Sequence, residues 1–275
     1  MRDPARRRLT RLASVPGVDV DALLAWYERV RRPLPWRATR EPYALLVSEV
    51  MLQQTQALRV VPYYERWLAR FPTAPALAGA PTRDVLVAWS GLGYNRRALA
   101  LQNAARVVAE RGWPSELTEL PGVGPYTAAA VGSFAFDRQV AAVDTNVRRV
   151  LSRRDGVAYT PARLASRAAE LLPRGRAATF NQAMMELGAT VCRPRAARCA
   201  ECPVSVGCLG PGEPAPPRRA VRFEDTHRWA RGRVLAALLA GEEPPVHGER
   251  RERALAGLER DGLVVRQPDG RVRLP

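Results

Sequence analysis

The feature that most constrains this chain is a window of four cysteines, Cys192, Cys199, Cys202 and Cys208, spaced C-x6-C-x2-C-x5-C, with no other cysteine anywhere. Disulfides fit it poorly, because a chain of this size needs no such staples and carries no secretory leader pattern. A structural zinc site usually shows two short C-x2-C pairs, and here there is one. Four thiolates in one compact loop can instead wrap a 4Fe-4S cluster, the reading the spacing favours. Arg193, Arg195 and Arg198 share the loop. Once stiffened, it would present three cations to a phosphate backbone.

Charge points the same way. The 275 residues carry 43 basic against 27 acidic side chains, a net charge of +16, which favours a polyanionic partner and nucleic acid first. Every basic residue is arginine, so codon bias accounts for part of the excess. With no lysine in the chain, lysine-based Schiff-base chemistry is excluded. His227 and His247 both lie late, which argues against histidine catalysis. No run of about 18 apolar residues occurs, so no membrane span is expected. The start, MRDPARRRLTRLASV, reads as a loose basic arm of a cytoplasmic protein.

Apolar residues recur at helical spacing over residues 18–30, after which RRPLPWR breaks the pattern. Core packing is the commoner fate of a tryptophan such as Trp36. Residues 44–56 (ALLVSEVMLQQTQ) predict a buried helix in which Glu49 is the anomaly. A buried carboxyl holds its proton into the range of a general acid; the alternative is a solvent-facing position. Gln53, Gln54 and Gln56 fall at that helix's end, as surface residues or as groups reaching into a duplex. Further helices are expected over 57–71 (interrupted at Pro62), 83–89, 97–111, 161–172 and 179–190. Tyr94, in the turn GLGYNRR, is either a cap on the core or an exposed wedge.

At the centre lies LPGVGPYTAAAVGSFAFDRQVAAVDTNVRRV, residues 120–150. Gly122 and Gly124 sit beside a helix that Pro125 can start, an arrangement that lets backbone amides approach an anion. Asp144 follows an apolar approach and precedes Asn146 and Arg148-Arg149. Phosphate cradle plus acid points to chemistry on a nucleic-acid sugar. The plainer reading is a turn joining two helices, with Asp144 as an N-cap.

Together these strings (LPWR, SEVMLQQTQ, WSGLGY, LPGVGPYTAAAVGS, VDTNVRRVLSR, FNQAMMELGA and the cysteine loop) resemble the helix-hairpin-helix DNA glycosylases that carry an iron–sulfur cluster, most closely the branch acting on adenine. The resemblance covers roughly residues 19–209. It implies an all-α fold, a helical lobe and a cluster lobe with the DNA site between them. It implies Glu49 as the acid that protonates adenine N7 and Asp144 as the acid that stabilises an oxocarbenium-like sugar, a division of labour akin to a glycosidase's two carboxylates. Asn146 would support Asp144. Tyr126 stands where endonuclease III has its lysine nucleophile, so the product would be an abasic site. Trp36, Arg37 and Gln182 match residues around the extruded base, and Gln54 and Tyr94 match duplex wedges, with Gln53 beside them. The implied partner is double-stranded DNA with an A:8-oxoguanine or A:G mispair, bound by a monomer.

Asn95 and Thr145 depart from common family residues, and the tail departs more. Residues 210–222 are a proline-rich linker, dividing a catalytic domain (1–209) from a small module (223–275). Helices over 229–239 and 250–261 and a hairpin around Pro268-Asp269-Gly270 outline a winged-helix-like unit. It is too short for the Nudix-like domain with which such enzymes read 8-oxoguanine. A mismatch thymine or uracil glycosylase, and a non-catalytic cluster protein that binds DNA, are the competing readings.

Overall fold

The computed structural model describes residues 17–210 and 221–274. The N-terminal basic arm and most of the proline-rich linker lie outside the described residues. Helices dominate: α1 (Val20–Val30), α2 (Pro42–Leu52), α3 (Ala57–Arg70), α4 (Ala74–Ala78), α5 (Thr82–Trp89), α6 (Arg96–Arg111), α7 (Pro125–Phe136), α8 (Thr145–Asp155), α9 (Pro161–Glu170), α10 (Ala177–Thr190), α11 (His227–Ala240) and α12 (Gly248–Arg260). Strands β1 (Val265–Arg266) and β2 (Val272–Arg273) pair antiparallel at the end. The all-α class is as the sequence implies.

Two compact units divide the chain. One takes the residues up to Pro33 and Ala129–Pro216, the other Leu34–Ala128 and Pro217–Pro275. In the first, α10 packs on α1 and α8, and α9 on α8. Leu23, Leu24 and Tyr27 of α1 meet Val147, Val150 and Leu151 of α8 and Phe180, Met184 and Leu187 of α10 in one apolar cluster. Burying such side chains stabilises by about 1.5–3 kcal/mol each. A side-chain cap starts α1, where Asp19 accepts from the Ala22 N–H at 2.9 Å. Arg32 ties α1's exit to α10, its guanidinium meeting the fully buried Glu186 at 2.8 and 2.9 Å.

In the second unit α2 packs on α3 and α6, α4 and α5 on α6, and α11 on both α12 and α5. Helix α2 begins at Pro42 and is capped by Glu41, whose carboxylate accepts from the Tyr43 and Ala44 N–H groups at 3.1 and 2.6 Å. Two expectations are corrected here. Pro62 does not interrupt α3, because it comes one turn into the helix, where the lost backbone bond matters less than burial of the Val60, Tyr64 and Trp67 face. The glutamines are not helical either. Gln53 is the C-cap of α2, Gln54 adopts a left-handed conformation (φ 56°), and Gln56 is the N-cap of α3. Among the described residues no helix is long and apolar enough to cross a membrane.

Candidate active site

In the unit containing Leu34–Ala128, α2 is buried from Tyr43 through Met51, so no face is left for Glu49 to turn toward water. Its residue exposure is 4 %, which removes the solvent-facing alternative. Trp36 is also buried, in a 3-10 turn over Pro35–Arg37, with its ring edge-to-face on Tyr64 at 5.4 Å. Arg37 is half-buried beside it. Tyr126, in the first turn of α7, is half-buried.

The end of α2 is held by a residue the sequence did not single out. Arg97 Nη1 donates to the carbonyls of Val50 (2.8 Å), Met51 (3.3 Å) and Gln53 (2.6 Å), while Nη2 donates to Leu92 and Gly93 at 3.3 and 3.0 Å. One guanidinium therefore satisfies the orphan carbonyls of α2 and fixes the glycine turn carrying Tyr94. Burial lowers the Arg97 pKa to about 10, leaving it charged at neutral pH. Tyr94 itself has φ 49°, rare for a residue with a side chain, and is 38 % exposed.

Gln53 and Gly122 are brought to one cavity of about 510 Å³, together with Arg96, Asn103 and, from the tail, Asp261. Gly122 has φ 76°, and a Cβ there would come within 2.6 Å of Ala100 Cβ, so only glycine fits the turn. At Gly124 a Cβ would meet nothing within 4 Å, which leaves the approach to α7's first turn open.

In the other unit Asp144 is both N-cap and candidate acid. Its Oδ1 accepts from the Val147 N–H at 2.7 Å, and its Oδ2 from Asn146 Nδ2 at 2.7 Å. Burial pushes the Asp144 carboxyl up from its ordinary value, while these bonds and the nearby Arg149 pull it back without cancelling the rise. Asn146 Oδ1 in turn accepts from Arg149 Nη2 at 2.8 Å, and Arg149 Nε donates to the Cys192 carbonyl at 2.8 Å. Arg153 adds bonds to Arg193 O (2.7 Å) and Pro194 O (2.8 Å). An unbroken hydrogen-bonded path thus runs from Asp144 through Asn146 and Arg149 to the cysteine loop. Gln182, on α10, accepts from the Tyr27 hydroxyl at 2.6 Å.

All four cysteines are free thiols lining one cavity of about 110 Å³. Burial pushes the Cys202 thiol up, the Val204 N–H lowers it, and the other three sulfurs raise it further. Among the described residues no three Cys, His, Asp or Glu side chains form a group that could hold a single metal ion. Four thiols lining one space form a donor set that fits a cluster of iron and sulfide.

Helical units, a glycine turn before a helix, a capped aspartate and a four-thiol loop define a class. Residues 47–174 match the HhH-GPD superfamily of base excision DNA repair proteins. Several solved structures share the fold. A thermostable thymine-DNA glycosylase aligns with a TM-score of 0.64 and 31 % identity, covering 75 % of this chain and 97 % of that one. Endonuclease III trapped on DNA gives 0.61 at 22 % identity, a likeness of fold alone. Among curated proteins, the adenine DNA glycosylase of Mycobacterium tuberculosis is 44 % identical over 92 % of both chains. That of Mycolicibacterium smegmatis is 44 % identical over 92 % of this chain and 94 % of its own. The human enzyme is 43 % identical over 68 % of this chain but only 38 % of its own. The chain belongs to the adenine DNA glycosylase family. Only 8 % of this chain lies outside the mycobacterial match, so the alignment runs at least part of the way into the C-terminal module.

Proposed function

We propose that the chain removes adenine mispaired with 8-oxoguanine or guanine, hydrolysing the N-glycosidic bond to leave an abasic site in double-stranded DNA, and that it does so as a monomer. The observation that carries the reading is the 44 % identity to adenine DNA glycosylases across almost the whole of both chains. Glu49 donates a proton to N7 as the C1′–N9 bond breaks and its electron pair leaves with the base. Its burial in α2 penalises the charged form of a carboxyl and suits that duty. Asp144 stabilises the cationic sugar, held by Asn146, and water adds to C1′ with loss of a proton. Trp36, Arg37 and Gln182 contact the extruded adenine. Gly122 and Gly124 offer backbone amides to a phosphate, and Gln53, Gln54 and Tyr94 fill the duplex. Tyr126 in place of an amine leaves the strand intact, as does the absence of lysine.

Cys192, Cys199, Cys202 and Cys208 would hold a 4Fe-4S cluster, supported by their common cavity. When bound, that group supplies the rigidity that keeps Arg193, Arg195 and Arg198 facing phosphate. A second reading, excision of thymine or uracil opposite guanine, is favoured by the 31 % identity to a thymine-DNA glycosylase. Duplexes containing A:8-oxoguanine, A:G, T:G and U:G, incubated with the protein and then treated with alkali, separate the two. Alkali-dependent scission of the adenine duplexes is expected. Scission of T:G or U:G alone, or nicking without alkali, overturns the reading.

A further inference from the structure

The C-terminal module reaches the ring of Tyr94 through Arg228. Arg228, in the first turn of α11, donates from Nη1 to the Tyr94 hydroxyl at 2.7 Å and stacks its guanidinium on the Tyr94 ring at 5.0 Å. Tyr94 also stacks on Arg97 at 5.4 Å. The series continues in both directions. Arg97 lies over buried Trp89 at 5.2 Å, and Arg228 lies over Phe223 at 4.9 Å. The result is an alternating ladder, Trp89–Arg97–Tyr94–Arg228–Phe223, anchored in the core and ending on an aromatic ring that is 49 % exposed. Other contacts hold the module to the same unit without touching Tyr94: Arg83 Nη2 donates to Leu239 O at 3.0 Å, and Arg96 pairs with Asp261 at 3.6 Å.

A ladder of this kind does more than dock a tail. Tyr94 pays for a positive φ that presents its ring outward, and backbone strain of this sort collects where a side chain must be aimed. Exposed aromatics interleaved with guanidinium groups suit a stacked base flanked by phosphate, since every base offers a π-face and every linkage a charge. We propose that the C-terminal module belongs to the mispair-reading apparatus: Arg228 is a positioning residue that holds Tyr94 as an intercalating wedge, and Phe223 extends the aromatic edge toward the strand opposite the excised base. The inference rests on the glycosylase reading above. It gives this short tail a part in discriminating the partner base.

The test uses the full chain and compares wild type with Arg228→Gln, Arg228→Lys, Tyr94→Phe, Phe223→Leu and the Arg228→Gln/Tyr94→Phe pair. Duplexes carry 2-aminopurine beside an A:8-oxoguanine or A:G mispair, so that unstacking is read as fluorescence independently of cleavage. Arg228→Gln is expected to lower the unstacking signal and single-turnover excision about five- to tenfold, with affinity for undamaged duplex within about twofold. Arg228→Lys should recover part of the loss, and Phe223→Leu should weaken A:8-oxoguanine more than A:G. Adding Tyr94→Phe to Arg228→Gln should cost little more, because both remove one interaction. Equal weakening on every duplex, additive with Tyr94→Phe and with a shallower salt dependence, would make Arg228 a plain phosphate contact and overturn the proposal. So would a lower melting temperature with unstacking unchanged. If wild type unstacks the mispair but excises no adenine, the glycosylase reading fails and the wedge stands.

Discussion

Replacing Asn146 with alanine tests the candidate acid most directly. Asn146 donates to Asp144 Oδ2 at 2.7 Å, and this bond opposes the upward push of burial on the carboxyl. A hydrogen bond to a charged group is worth about 1.5–3 kcal/mol, and the lower end applies because Asp144 is only half-buried by exposed surface. About 1.5 kcal/mol corresponds to about one pH unit. In the proposed chemistry Asp144 acts in its ionised form, so excision should fall as pH drops through its pKa. Single-turnover excision from an A:8-oxoguanine duplex, followed across the acid range, should show the acid limb of Asn146→Ala moved up by about one unit. The rate loss should be largest at low pH and small once Asp144 is fully ionised. The sign for stability follows from the same shift. A carboxyl raised above its unfolded value of 3.8 binds more protons folded than unfolded. Its stabilisation is therefore complete below that value and lost as pH rises through the folded pKa, and the substitution should widen this window. An unmoved acid limb with a uniformly lower plateau would refute the reasoning, since Asp144 would not then be the titrating group that Asn146 tunes.

Gly188→Ala should lower the melting temperature by about 5 °C and impair excision, because the added methyl would lie 2.5 Å from Asn146 Cβ; a thermal melt unchanged from wild type would contradict this close approach of α10 to α8. Arg154→Met should destabilise by about 2–4 kcal/mol in denaturant titration, since the buried guanidinium bonds Val204 O at 2.7 Å and Gly17 O at 2.9 Å and their carbonyls would lose their donor. Cys199→Ser should reduce the iron recovered from purified protein below about four per chain and weaken duplex binding about tenfold, measured by fluorescence anisotropy; full affinity without iron would detach the loop's arginines from the cluster.

What could be read from the residues alone divides along a physical line. The helix around Glu49 was legible as buried because apolar residues flank Ser48 and Glu49 on both sides with no proline or glycine between them, and the cap at Asp144 because an acid before TNV is a local signal. Helix boundaries moved by at most two residues, as frayed ends do, except at the end of α2, which stops at Leu52, four residues before the expected Gln56. The grouping of α1 with α8 and α10 was not legible, because it depends on which apolar faces meet across more than a hundred residues of chain. Nor were the arginines. With lysine absent, every cation in this sequence is a guanidinium, and five forked donors serve a helix end, a carbonyl cluster or a phosphate equally well. Arg97 and Arg149 look in sequence like Arg193 and Arg195, yet the first two spend their donors on backbone carbonyls and an amide inside their own units. The net charge of +16 therefore overstates the surface available to DNA, and the groups that organise the site are the very ones a charge count assigns to its partner.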